Sequence, residues 1–349
     1  MSNVFRSNLV IEMSGASHTD AMRIKVSGFP KGIKIDTKAI EEAINRRMPN
    51  GNLSNARHEA DDYTFVSGVN KGKTNGEELI IEVKNQNFNS DNYQKGIIRP
   101  GHVDYPAYVK YGDNFDYRGG GEFSGRLTIL IAILGAISKT ALKKYGVVIG
   151  SHLYQIGNVK DKKINYLKVN AKTLHTSKAK LAKMEEAIIK AKNDGDSIGG
   201  TIEVIACGVK IGLGENYFGG LESKISSLML AIPGAKEVSF GKELDLAKDK
   251  GSSYNDQLQY VDGKVKFLSN NAGGINGGLA NGQNLVVRVT FRPTASISKI
   301  QKSINIINKE NIDLSIKGNH DACFAYRCGV IVESMLAIAL LDCYLEEGK

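Results

Sequence analysis

Two stretches of this chain are too apolar to be left in water. From Ser124 to about Lys144 the sequence reads as a helix. Its run Leu127 to Ile137 is apolar nearly all round, interrupted by Thr128. The C-terminal run Gly329 to Leu345 reads as a second helix facing the core. A helix without a polar face must be deeply buried. The run Leu127–Ile137 is also too short to cross a bilayer, which takes ~20 apolar residues. The remaining elements must therefore be layers that cover these helices.

Strand signals supply such layers. In "MRIKVSG" Ile24 and Val26 alternate with Arg23 and Lys25, and "NLVIEM" precedes it. "YTFVSGV", "ELIIEVK" and "TIEVIACGV" read as further strands. "NLVVRVTFRP" sets Leu285, Val287, Val289 and Phe291 against Arg288 and Arg292. Amphipathic helices are expected from an Asp36 cap to Arg47, from Ser177, and across "GGLESKISSLMLAIPG". There is no repeat, low-complexity segment or convincing linker. The expectation is one layered α+β domain over residues 1–349.

Charge and cysteine content narrow the function classes. The 349 residues carry 46 Lys plus Arg against 37 Asp plus Glu, a net charge of +9. The excess is spread along the chain, Trp is absent, and no nucleic-acid-binding motif appears. A small anionic ligand accounts for it better than nucleic acid does. Cys207, Cys323, Cys328 and Cys343 lack zinc spacing and read as reduced thiols. With no signal-peptide order at the N-terminus, a soluble cytoplasmic protein without nucleic-acid or membrane partners is expected. The six histidines are scattered, which argues against a metal site.

Three histidines sit in turn-rich loops: His18 in "SGASHT", His102 in "RPGHVDY" and His320 in "KGNHDACF", where it abuts Asp321. Such a pair suits acid–base chemistry. "YRGGG" and "NNAGGINGG" leave backbone N–H groups unshielded, a setting that can take phosphate or a flat ring. On the residues alone, the chain reads as an enzyme acting on an anionic small molecule by His/Asp chemistry.

These loops, in this order, resemble the chorismate synthase family. The matching stretches include "VIEMSGASHTDAMRIKVSGFPKGI", "RPGHVDY", "KYGDNFDYRGGG", "GDSIGGTIEV", "SNNAGGINGGLANGQ", "RPTASI" and "HDACFAYRCGVIVESMLAIALLD". The resemblance covers nearly the whole chain. It implies a β–α–β sandwich, usually assembled as a homotetramer, that binds reduced FMN. It implies 1,4-elimination of phosphate from 5-enolpyruvylshikimate 3-phosphate to give chorismate, a lyase step of aromatic amino acid biosynthesis. NADPH or an external flavin reductase would keep the flavin reduced.

The resemblance also implies site roles. His18, His102 and Asp321 match catalytic positions. Arg46, Arg47, Arg126 and His320 match substrate-binding positions. Ser124, Gly277, Arg292, Thr294, Ala295, Ser296 and Asn319 match flavin-contacting positions. The triple glycine is expected beside flavin and substrate. The chain departs from the family pattern at Ala16, Leu53, Glu122, Phe123, Leu127, Asn271 and Asn319. Of these, Glu122 would reverse charge where anions bind. The departures leave open a second reading, a paralogue with altered or lost activity that binds another anion.

Overall fold

In the computed structural model, the described residues are 3–48, 53, 61–85, 93–162, 177–243, 246–316 and 320–347. Asn319, His58 and His175 lie outside them. Two five-stranded antiparallel sheets enclose the long helices. The first sheet runs Val4–Arg6, Val10–Ser14, Ala21–Ser27, Leu79–Lys84, Tyr63–Ser67 in spatial order. The second runs Ala235–Phe240, Leu285–Phe291, Gly200–Cys207, Val148–Ile156, Val159–Lys160.

Seven α-helices are present among the described residues: α1 (Thr37–Arg47), α2 (Asp104–Tyr111), α3 (Thr128–Leu142), α4 (Lys178–Asn193), α5 (Leu221–Leu230), the single turn α6 (Gly251–Tyr254) and α7 (Gly329–Glu347). Helix α3 packs on the strands Ala21–Ser27 and Leu79–Lys84 of one sheet and on Val148–Ile156 of the other, and α7 lies along it against the second sheet. This is the β–α–β sandwich, and it explains why both helices lack a polar face. At their crossing a Cβ on Gly135 would stand 2.1 Å from Cβ of Ser334, so only glycine lets the helices approach so closely.

Local chemistry sets the boundaries. Asp36 caps α1 by accepting the Ala39 N–H at 3.2 Å. Ser177 caps α4 in the same way through Lys180 N–H at 3.3 Å. The helix expected from Ser124 begins only at Thr128, because Arg118–Phe123 and Gly125–Leu127 form tight 3₁₀ turns instead. Val148–Ile156 carries no alternation in sequence because the second sheet buries most of both its faces. All four cysteines are free, and three of them are buried.

Candidate active site

The C-terminal turn of α1, the glycine turns, the Arg99–Asp104 segment and the loops at 294–296 and 320–327 close around one cavity of about 260 Å³. Arg47, Arg99, His102, Gly119, Ser124, Arg126, Thr294, Ser296, His320, Asp321 and Arg327 are on its wall. Residues more than 270 positions apart in sequence thus share one wall.

The triple glycine sets how this wall is built. Gly119, Gly120 and Gly121 all have positive φ, at 57°, 84° and 55°. A Cβ on Gly119 would lie 2.6 Å from Cε1 of His18 and 2.6 Å from Oγ of Ser17. A Cβ on Gly120 would lie 3.3 Å from Cε1 of His102. So the groups that come close to this backbone are the two imidazoles, on consecutive residues. His18 itself is buried behind Gly119, edge-on to Tyr93, which also lines the cavity.

Each histidine has a defined partner. Nδ1 of His102 is 2.7 Å from Oδ1 of Asp104. Arg99 grips the same carboxylate through Nε at 2.6 Å and Nη2 at 2.7 Å, and holds it well below the usual carboxylate range. An ionised Asp104 can only accept, so His102 carries its proton on Nδ1. Burial pushes the His102 pKa below its ordinary 6.5, with Arg99 and Arg292 adding to the effect against Asp104. Nδ1 of His18 lies 2.8 Å from the Ser17 hydroxyl, which donates to the Arg118 carbonyl at 3.1 Å.

Three arginines make the cavity an anion site. Arg47 donates from Nε to Thr128 Oγ1 at 3.1 Å, and from Nη2 to the carbonyls of Gly125 and Arg126 at 3.2 and 3.0 Å. Arg126 Nε donates to Asn85 Oδ1 at 3.2 Å. Arg327 Nη2 pairs with Asp321 Oδ2 at 2.5 Å. Burial, with repulsion from Arg327 and Arg126, lowers the Arg47 pKa to about 9. An incoming anion relieves that repulsion. Thr294 Oγ1 and Arg327 Nε are buried without a hydrogen-bond partner, which suits a wall meant for a polar ligand.

Not every expected residue reaches this cavity. Arg46 precedes Arg47 on α1, so it projects about 100° round the helix. It bonds both oxygens of Glu333 at 2.9 and 2.6 Å, in a separate cavity between α1, α3 and α7. Gly277 lies in the turn joining Ile275–Asn276 to Leu279–Ala280 and is not on the wall. Arg292 and Ala295 flank Gly101 beside His102, at 4.0 and 3.8 Å from the position of its would-be Cβ. Ser124 Oγ accepts the Arg126 N–H at 3.3 Å. Glu122 is not on the wall either, and Phe123 turns outward, 41% exposed, against Tyr111 and Phe115. The expected charge reversal at Glu122 therefore falls outside the cavity. Leu127 and Leu53 pack with the core, and Asn271 bonds to the Tyr254 carbonyl. Asp61, Arg99, Asp104 and Arg327 were not singled out by sequence reasoning. Asp104 could have been, since it stands two residues after His102 in "GHVD".

A pH dependence follows from the buried imidazoles. His102 and the fully buried His152 both have pKa values below 6.5, mainly through burial. In the unfolded chain they take up protons near 6.5, which the fold resists. Stability is therefore full above about pH 7 and falls as pH drops through 6.5, by up to ~1.4 kcal/mol per pH unit for each histidine. Urea unfolding at pH 7.5 and 5.5 checks this, and equal midpoints would refute it.

The family model for chorismate synthase matches residues 9–345. The chain is 39% identical to the chorismate synthase of Phocaeicola vulgatus, covering 98% of this chain and 96% of that one. It is 35% identical to that of Korarchaeum cryptofilum, covering 97% and 96%. A crystal structure of a chorismate synthase superposes with a TM-score of 0.73 at 25% identity, covering 97% of this chain and 92% of the other. With a family match across nearly its full length and the matching fold, this chain belongs to the chorismate synthase family.

Proposed function

We infer that this chain is a chorismate synthase, eliminating phosphate from 5-enolpyruvylshikimate 3-phosphate with the help of reduced FMN. The observation that carries the reading is the meeting of His102, three arginines and Asp321 on the wall of one cavity, with His18 packed behind Gly119 of that wall, in a family member. A proton leaves one carbon and phosphate leaves another in a 1,4 relationship. The C–H electron pair forms one double bond, the double bond between the two carbons shifts along by one, and the C–O pair leaves with phosphate, so there is no net redox change.

The chain's residues fit such ligands. Arg47 and Arg126 supply fixed positive charge for the substrate's anionic groups. His18 is the group proposed to neutralise the departing phosphate, which leaves poorly as a trianion. His102 rests neutral with Nε2 free of the proton held at Nδ1. An anion bound beside it would raise its proton affinity. Thr294, Ala295, Ser296, Arg292 and Ser124 are the residues proposed to hold the flavin, with the unpartnered Thr294 hydroxyl available to it. Reduced FMN, when bound, would supply an electron-rich ring beside the reacting carbons. Asp321, paired with Arg327 on the same wall, is the carboxylate proposed to assist departure of the C–H proton. The cytoplasmic homotetramer implied by the family resemblance is proposed on the same basis.

An anaerobic assay with reduced FMN tests the reading. One phosphate should appear for each chorismate, with the flavin still reduced at the end. Substrate binding without phosphate release would favour the paralogue reading instead.

A further inference from the structure

His18 is not on the cavity wall, yet it lies against two residues that are. Three neighbours are in contact with it. The Ser17 hydroxyl meets Nδ1 at 2.8 Å, and the Gly119 backbone lies beside Cε1. The third is Tyr93, a half-buried residue that lines the cavity. Its ring centroid is 5.4 Å from that of His18, at an interplanar angle of 81°. Edge-to-face rings at this separation touch, and no water fits between them.

Tyr93 is itself held. The Arg99 guanidinium carbon stands 5.6 Å from the Tyr93 ring centroid, within cation–π reach. The same guanidinium clasps Asp104, which orients His102. One arginine therefore braces both imidazoles, His102 through a carboxylate and His18 through an aromatic ring. We propose that Tyr93 is a positioning residue: its ring fixes the His18 imidazole and closes one side of it off from the cavity, so that substrate meets His18 across Gly119.

The ring, not the hydroxyl, carries this role. Both contacts are ring contacts, so phenylalanine keeps them. Alanine removes them and joins the space beside His18 to the cavity. The imidazole then has room to tilt, and water reaches it. A displacement of about 1 Å at a reacting group can cost ~100-fold in rate. Arg99 keeps both bonds to Asp104 in such a variant, so His102 stays in place.

This inference rests on His18 acting in the proposed reaction, so one readout is independent of turnover. Diethyl pyrocarbonate acylates unprotonated imidazoles, and peptide mass spectrometry reads His18 and His102 separately. In Tyr93→Ala the ratio of His18 to His102 labelling rates should rise roughly ten-fold or more as the covering ring is lost. Its kcat should fall roughly ten-fold or more with KM within about three-fold of wild type. Tyr93→Phe should match the wild type in both readouts. An unchanged labelling ratio in Tyr93→Ala overturns the proposal. So does faster labelling at unchanged kcat, or a Tyr93→Phe enzyme as impaired as Tyr93→Ala. Tyr93→Ser is read in the same way should the alanine variant not fold. Failure of both to fold also overturns the proposal, since the ring would then be holding the fold. A wild type without turnover refutes the proposed function, and the labelling ratio still decides whether Tyr93 encloses His18.

Discussion

His102→Ala is expected to lower kcat by about 10²–10⁴-fold, the span usual for loss of a general acid–base. The melting temperature should hardly move. The imidazole sits over Gly120 at the cavity wall, and its removal leaves Asp104 still clasped by Arg99 through two bonds. No buried charge loses its only partner. The KM for the phosphorylated substrate should change little, because the fixed positive charge comes from Arg47, Arg126 and Arg327. Asp104→Asn should give a smaller fall in kcat, since an amide can present its N–H to Nδ1 and reverse the tautomer. Steady-state kinetics with circular-dichroism melts separates these effects. A His102→Ala enzyme within a few-fold of wild type would remove His102 from the chemistry.

Glu333→Gln should show the opposite pattern, a large loss of stability. Glu333 is 2% exposed and bonds Arg46, Lys139 and Ser151 at 2.6–2.9 Å. These attractions outweigh burial and hold its carboxyl well below the ordinary 4.5. Removing the charge leaves two cations facing each other at the junction of α1, α3 and α7. Breaking a buried pair this way costs about 3 kcal/mol. The figure sits low in its range because Arg46 and Lys139 still reach water at their rims. Because the folded pKa is depressed, this contribution is present above pH ~4.5 and is lost as pH falls below it. Denaturant unfolding of the variant checks the magnitude, and a change under ~1 kcal/mol would contradict it.

The sequence made the layers legible because burial leaves a pattern. Period-two alternation in Ala21–Ser27 and Leu285–Phe291, and all-round apolarity in α3 and α7, follow directly from what each element packs against. Val148–Ile156 was not legible, since a strand covered on both faces has no alternation to show. The site was legible as a set of loops but less so as a set of contacts. His18 and His102 stood out by their settings. Their common reason, a glycine backbone lying against both rings, needs the three-dimensional path. Arg46 and Arg47 are indistinguishable in "NRRM", and only the helix phase sends one to Glu333 and the other to the cavity. The pair expected in "NHDA" illustrates the same limit. The Asp321 carboxylate also pairs with Arg327, and His102 makes a further His–Asp contact, with Asp104. Asp61 gave no sequence signal, because an acid in an anion site is recognisable only once its neighbours are known.

The central claim is that the two imidazoles and the arginine cluster form one site, distinct from the cavity where Arg46 meets Glu333. A crystal structure of the protein with reduced FMN and 5-enolpyruvylshikimate 3-phosphate tests it most directly. The account predicts both ligands in the cavity bounded by Arg47, Arg126, His102 and Thr294, with His18 adjoining the substrate across Gly119. Either ligand seated instead against Arg46, Lys139 and Glu333 would contradict it.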